Sequence, residues 1–150
     1  MGKFYEYSQN NNGGKFDVGE YVCARMLIEA ESEDKANTTA EDLGCYWDGV
    51  RDGIDCPCCG DRWYNAWNQG ISFPYKYSTI NEKDKPDYEV HGCTFEVDDK
   101  PVHGRNVWVT FPTPESYMQY MADQWGWTKP DGRIFYLDGR VVDIYSKKIK

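Results

Sequence analysis

The segment from Tyr21 to Gly44 constrains the fold most, because it reads as strand, acidic cap, helix and glycine stop in unbroken order. Residues 21–29, Tyr-Val-Cys-Ala-Arg-Met-Leu-Ile-Glu, are dense in side chains that suit a pleated, half-buried surface. Ser32 is placed to accept a hydrogen bond from the first helical turn, and Glu33 and Asp34 lie where the positive end of the helix dipole stabilises carboxylates. Gly44 can adopt the left-handed conformation that closes a helix. Between these ends Ala36, Thr39, Ala40 and Leu43 share one face, and their small volume predicts a helix lying close against a sheet.

The flanking chain supplies strands and one more helix. Lys3 to Ser8 alternates in strand fashion with Tyr5 and Tyr7 on one face. It runs into Asn10-Asn11-Asn12-Gly13-Gly14, a hairpin loop that predicts a second strand beginning near Lys15. Cys45-Tyr46-Trp47 reads as a short strand, whereas Arg51 to Gly70 is too rich in Gly, Asp, Asn and Cys for regular structure. A loop of that length is either functional or specially braced. Strand signals return at Ile71 to Ile80, Tyr88 to Val97 and Asn106 to Phe111. Thr113-Pro114-Glu115 opens a second helix with Tyr117, Met118, Tyr120, Met121 and Trp125 on its apolar face, ending near Gly126. Ile134 to Leu137 and Val141 to Tyr145 flank Asp138-Gly139, a strong hairpin signal. The expected architecture is α+β: one domain over residues 1–150, with an antiparallel or mixed sheet packed by two helices on one or both faces, and a long cysteine-containing loop.

Composition narrows the function. The net charge of -8 removes any general attraction to phosphate backbones, so direct nucleic-acid binding is not expected. An acidic surface can serve solubility, or imitate nucleic acid toward a basic partner. Aromatic residues reach 16%, which suits strand packing in a β-rich domain and equally suits stacking on a flat ligand. No apolar run is long enough for a bilayer and the N-terminus lacks a secretory stretch, so a cytoplasmic location without membrane contact is expected. In a reducing compartment the six cysteines point to thiols or metal ligation rather than disulfides.

The most distinctive motif is Asp55-Cys56-Pro57-Cys58-Cys59-Gly60-Asp61-Arg62-Trp63. Cys56 and Cys59 have the spacing of a metal knuckle, with Pro57 and Gly60 shaping a tight turn that aims two thiolates at one ion. This is half of a structural zinc site. Its closure would draw on Cys45, His91, Cys93 or His103, and the alternative is a metal-free brace of reduced thiols. Cys58 is a candidate nucleophile if one of the histidines acts as its base, and the buried or incidental thiol is the simpler reading. Asp48, Asp52, Asp55 and Asp61 could hold a cation or simply be solvated. Arg62 beside Trp63, Tyr64 and Trp67 suggests a ligand-binding set in which a guanidinium fork holds phosphate and a ring stacks on a base; the alternative for Trp63 is core packing.

Tyr5 to Ser8, the Asn10 to Gly14 turn, Ile28-Glu29-Ala30, Leu43-Gly44 and the Asp55 to Trp63 motif together resemble a group of small uncharacterised tailed-bacteriophage proteins. The resemblance covers mainly residues 4 to 64 and implies an accessory role in the cytoplasm of an infected bacterium, with no catalytic residues to carry over. Three functions follow as expectations. The first is sequestration, without catalysis, of a nucleotide-derived signal of host defence; the others are acidic inhibition of a host defence protein and degradation of a nucleotide. The expected partner is thus a small molecule or a host protein, with self-association left open.

Overall fold

The computed structural model describes residues 2–10, 16–66, 70–79, 93–98, 106–125 and 128–147. Among the described residues, seven strands and two helices follow in the order β1 (Lys3–Ser8), β2 (Arg25–Ala30), α1 (Glu33–Leu43), β3 (Tyr75–Thr79), β4 (Thr94–Asp98), β5 (Asn106–Phe111), α2 (Pro114–Trp125), β6 (Gly132–Phe135) and β7 (Val141–Ile144). They form a four-stranded sheet of order β1-β2-β6-β7 and a three-stranded sheet of order β3-β5-β4. In the larger sheet β2 runs parallel to β6 while the outer pairs are antiparallel, so the α+β fold is built on a mixed sheet.

Side-chain alternation sorts this sheet into two faces. Tyr5 and Tyr7 of β1, Met26, Ile28 and Ala30 of β2 and Phe135 of β6 meet Ala36 and Ala40 of α1. Phe4, Leu27, Ile134 and Ile144 point the other way, toward Tyr117, Met118, Tyr120 and Ala122 of α2 and Val109 and Phe111 of β5. One helix therefore covers each face, and the second sheet joins α2 on its side. The approach of α2 to the sheet is close at Gly132, where a Cβ would lie 2.8 Å from Cε of Met118 and the end of that methionine would have to shift.

Both helices start and stop on their local chemistry. Ser32 Oγ accepts from the Lys35 N–H at 3.2 Å, and Gly44, at φ +118°, donates its N–H to the carbonyls of Ala40 and Glu41. Ala36 and Ala40 are buried as expected, but Thr39 is exposed. Thr113 and Ser116 cap α2 reciprocally, each side-chain oxygen accepting the other's backbone N–H at 3.2 Å. The β6–β7 connection turns at Asp138-Gly139, where Gly139 has φ +95°. The Gly139 N–H donates to Tyr136 O at 3.0 Å, and Tyr136 N–H donates to Arg140 O at 2.9 Å.

Several expected boundaries shift. The partner of β1 begins at Arg25 rather than near Lys15 or Tyr21, because the carbonyls of Asp17 and Cys23 bond to the Gln9 side chain instead of a ladder. Asn11 to Lys15 lie outside the described residues. Cys45 to Trp47 form no strand; Cys45 continues the helix cap through its N–H to Ala40 O at 2.9 Å. Ile71 makes a lone bridge to Phe4, and the strand expected from there starts only at Tyr75 in the other sheet. Among the described residues, no helix is long and apolar enough to cross a membrane.

Candidate functional site

The segment after α1 carries the sequence-predicted site and is irregular over its described length, residues 45–66. Its order comes from side chains substituting for a ladder. Asp55, buried, accepts the Tyr46 hydroxyl at 2.7 Å and the Arg62 N–H at 2.9 Å on its two carboxylate oxygens. Asp61 accepts the Val50 N–H at 2.9 Å. Gly49 is required at this fold-back, since a Cβ there would sit 1.9 Å from Oδ2 of Asp55. Burial, then the bond to Asp55, pushes the Tyr46 hydroxyl up to about 12. Asn37 of α1 fastens the far end: its Oδ1 accepts from the Tyr7 hydroxyl at 2.7 Å and from the Ala66 N–H at 2.8 Å.

Arg62 and Trp63 belong to that bracing. Arg62 is 8% exposed, its Nη1 donating to Gln9 Oε1 at 2.8 Å and its Nε standing 3.3 Å from Asp17 Oδ2. Trp63 is 1% exposed and packs in the cluster of Tyr7, Met26 and Phe135. The guanidinium is thus engaged by protein groups, and the indole offers no ring face to a ligand; core packing is the arrangement Trp63 adopts. Tyr64 is exposed, and Trp67 lies outside the described residues.

The cysteine turn lies on the surface of this braced loop. The Cys59 N–H donates to Cys56 O at 3.1 Å, closing the turn, and Gly60 follows at φ +84°. Cys56, Cys58 and Cys59 are all exposed. Hydrogen bonding within the turn, led by the Cys58 N–H, holds the Cys56 thiol below the usual range. The turn brings the backbones of Cys56 and Cys59 within hydrogen-bond distance. Expected closing ligands do not join them: Cys45 is buried with its thiol 3.8 Å from Met26 Sδ, and Cys93 is buried in the opposite core cluster. His91 and His103 lie outside the described residues. Among the described residues, no group of three or more His, Cys, Asp or Glu side chains is arranged to hold a metal ion.

A second feature escaped the sequence reading. A groove of about 480 Å³ opens at the carboxyl ends of the parallel strands β2 and β6, where crevices in α/β sheets form. Glu29, Glu31 and Asp34 line it with Lys35, Thr38 and Leu137. Lys35 is drawn to Glu31 at 2.6 Å, and this bond holds the Glu31 carboxyl below its ordinary range. Glu29 accepts the Leu137 N–H at 3.0 Å, and the Leu137 side chain stands 54% exposed at the rim. The sequence signal available was the run of carboxylates Glu29, Glu31, Glu33 and Asp34 across the strand-to-helix junction, of which the helix dipole explains only Glu33 and Asp34.

A family model described as Domain of unknown function (DUF7296) matches residues 2–102, and the chain belongs to that family. The matched stretch contains β1 to β4 but neither β5 nor β6, so its end cuts through both sheets. No curated protein and no solved structure matches the chain.

Proposed function

We propose that this DUF7296 chain is a binding protein, which acts without catalysis by docking an acidic face onto a basic surface of a host defence protein. The observation that carries the reading is the groove between β2, α1 and the β6–β7 turn, with three carboxylates and one lysine around an exposed leucine. A net charge of -8 extends the same sign beyond the groove and favours rapid encounter with a cationic partner. The phage setting rests on the resemblance of residues 4 to 64. Sequestration of a nucleotide-derived signal is the less supported reading, since Arg62 and Trp63, the contacts expected to hold phosphate and base, are engaged in the interior.

The test immobilises the chain, passes bacterial extract over it at low ionic strength and elutes with salt. The expected result is a basic protein retained by the wild type and released as screening shortens to about 8 Å near physiological ionic strength. Retention should weaken about tenfold, roughly 1.4 kcal/mol, when Glu31→Gln and Asp34→Asn are combined. Retention indifferent to both salt and these substitutions would overturn the reading. So would stoichiometric heat with cyclic nucleotides or adenine-ribose compounds: ligand recovered intact would establish sequestration, and altered ligand an enzyme.

A further inference from the structure

Strand β7 closes the larger sheet, and among the described residues only β6 pairs with it. The ladder fixes which of its backbone groups face inward. Tyr136 N–H donates to Arg140 O at 2.9 Å and Asp131 N–H to Ile144 O at 3.0 Å, so Arg140, Val142 and Ile144 turn their amides and carbonyls toward β6. Val141 and Asp143 turn theirs outward, to the open edge. We propose that an extended segment of the basic partner adds to this edge as a further strand, with a lysine or arginine of that segment reaching the carboxylates of the groove. This mode deepens the acidic docking described above and rests on it.

Edges of this kind are commonly blunted by lysine, proline or a bulge, because unpaired amides and carbonyls recruit other strands. β7 reads Val-Val-Asp-Ile and carries neither lysine nor proline. Its single charge is met within the sheet, where Arg133 Nε of β6 stands 3.0 Å from Asp143 Oδ1. The side chains beside the edge are uncovered as well: Val141 and, just past the end of the strand, Tyr145 are 53% and 55% exposed. Alternate side chains of an added strand would lie against them.

Charge complementarity names the occupant. Val141 is in register with Phe135, and Phe135 leads through Tyr136 into Leu137, which lines the groove with Glu29, Glu31 and Asp34. A strand laid along β7 therefore runs out beside the groove, where carboxylates outnumber the one lysine and select a cationic side chain. Main-chain hydrogen bonds supply affinity in this mode, and the side chains supply selection. At 4 residues, β7 limits the pairing to a short segment.

The probe is a capped octapeptide alternating lysine with valine, compared with a copy N-methylated along its central amides, which keeps charge and side chains but cannot pair with a strand. Titration into the isotopically labelled full chain reads affinity and amide exchange by NMR. The expected result is that the parent peptide slows exchange at the Val141 and Asp143 amides, and that N-methylation of the peptide, or Val141→Pro in the chain, weakens binding about tenfold or more. The Val141 N–H faces away from β6, so proline there leaves the ladder in place. Glu31→Gln combined with Asp34→Asn should weaken binding of the parent peptide too. Equal binding of the two peptides, or no binding of the parent, would overturn the added strand; with equal binding that still falls with salt, the acidic docking stands without it. Binding indifferent both to salt and to the groove substitutions would overturn the docking and this mode together. Protection of Val141 and Asp143 in the peptide-free chain, with a dimer in sedimentation, would assign the edge to a second copy and overturn the proposal.

Discussion

Arg62 donates from Nη1 to Oε1 of Gln9 at 2.8 Å, a hydrogen bond across 53 residues that locks the cysteine loop to the end of β1. Gln9 is 3% exposed and also donates to the carbonyls of Asp17 and Cys23 at 2.9 and 3.1 Å, while its Oε1 accepts the Asp17 N–H. One amide thus organises two irregular segments that have no ladder of their own.

Gln9→Ala should therefore cost about 2 to 4 kcal/mol, because it removes one acceptor of a buried guanidinium and the partner of several backbone groups at once. Urea unfolding measures the loss, and limited proteolysis should show new cleavage between residues 50 and 66. A cost below roughly 0.5 kcal/mol would mean that water replaces the amide without penalty.

Trp63→Ala should destabilise by about 3 to 5 kcal/mol through the cavity it leaves beneath α1, whereas Tyr64→Ala, at an exposed neighbour, should stay within about 0.5 kcal/mol. Thermal and urea denaturation of the pair decides this. If Trp63→Ala kept its stability but lost a ligand, the indole would be a binding surface after all.

Alkaline pH should weaken the fold through its buried thiols. Burial raises Cys23 from 9.0 to about 11, and Cys45 from 9.0 to about 12. An unfolded thiol ionises above pH 9 while the folded one stays protonated, so the folded state binds more protons and stability falls as pH rises. The contribution is complete below pH 9 and lost toward pH 11 for Cys23, with a slope of roughly 1.4 kcal/mol per pH unit per thiol. Urea midpoints measured from pH 8 to 11 should show this decline, and Cys23→Ala should flatten it. An unchanged slope in that variant would assign the decline to other groups.

What could be read along the chain was local. Ser32, Gly44, Thr113 and Asp138-Gly139 act within a few residues of themselves, and each does in the structure what its chemistry predicts. The Cys56–Cys59 turn belongs to the same class, since its closing hydrogen bond spans only four residues. The misplaced strand start was of the other kind: residues 16–24 carry β-prone side chains, but Gln9, just past the end of β1, takes up the carbonyls of Asp17 and Cys23.

The same division separates the two candidate sites. Sequence alone determined the α+β class, the two helices with their caps, the acidic charge and the turn at Cys56–Cys59, because propensity, capping and turn geometry operate over short stretches of chain. Only the tertiary structure decided that Trp63 is core, that Arg62 is a brace, and that Glu29, Asp34 and Leu137 share one groove. Burial and the juxtaposition of β2 with β6 depend on partners about a hundred residues away, as in Met26↔Arg133. No local propensity encodes which side of a ring meets water once such strands pair.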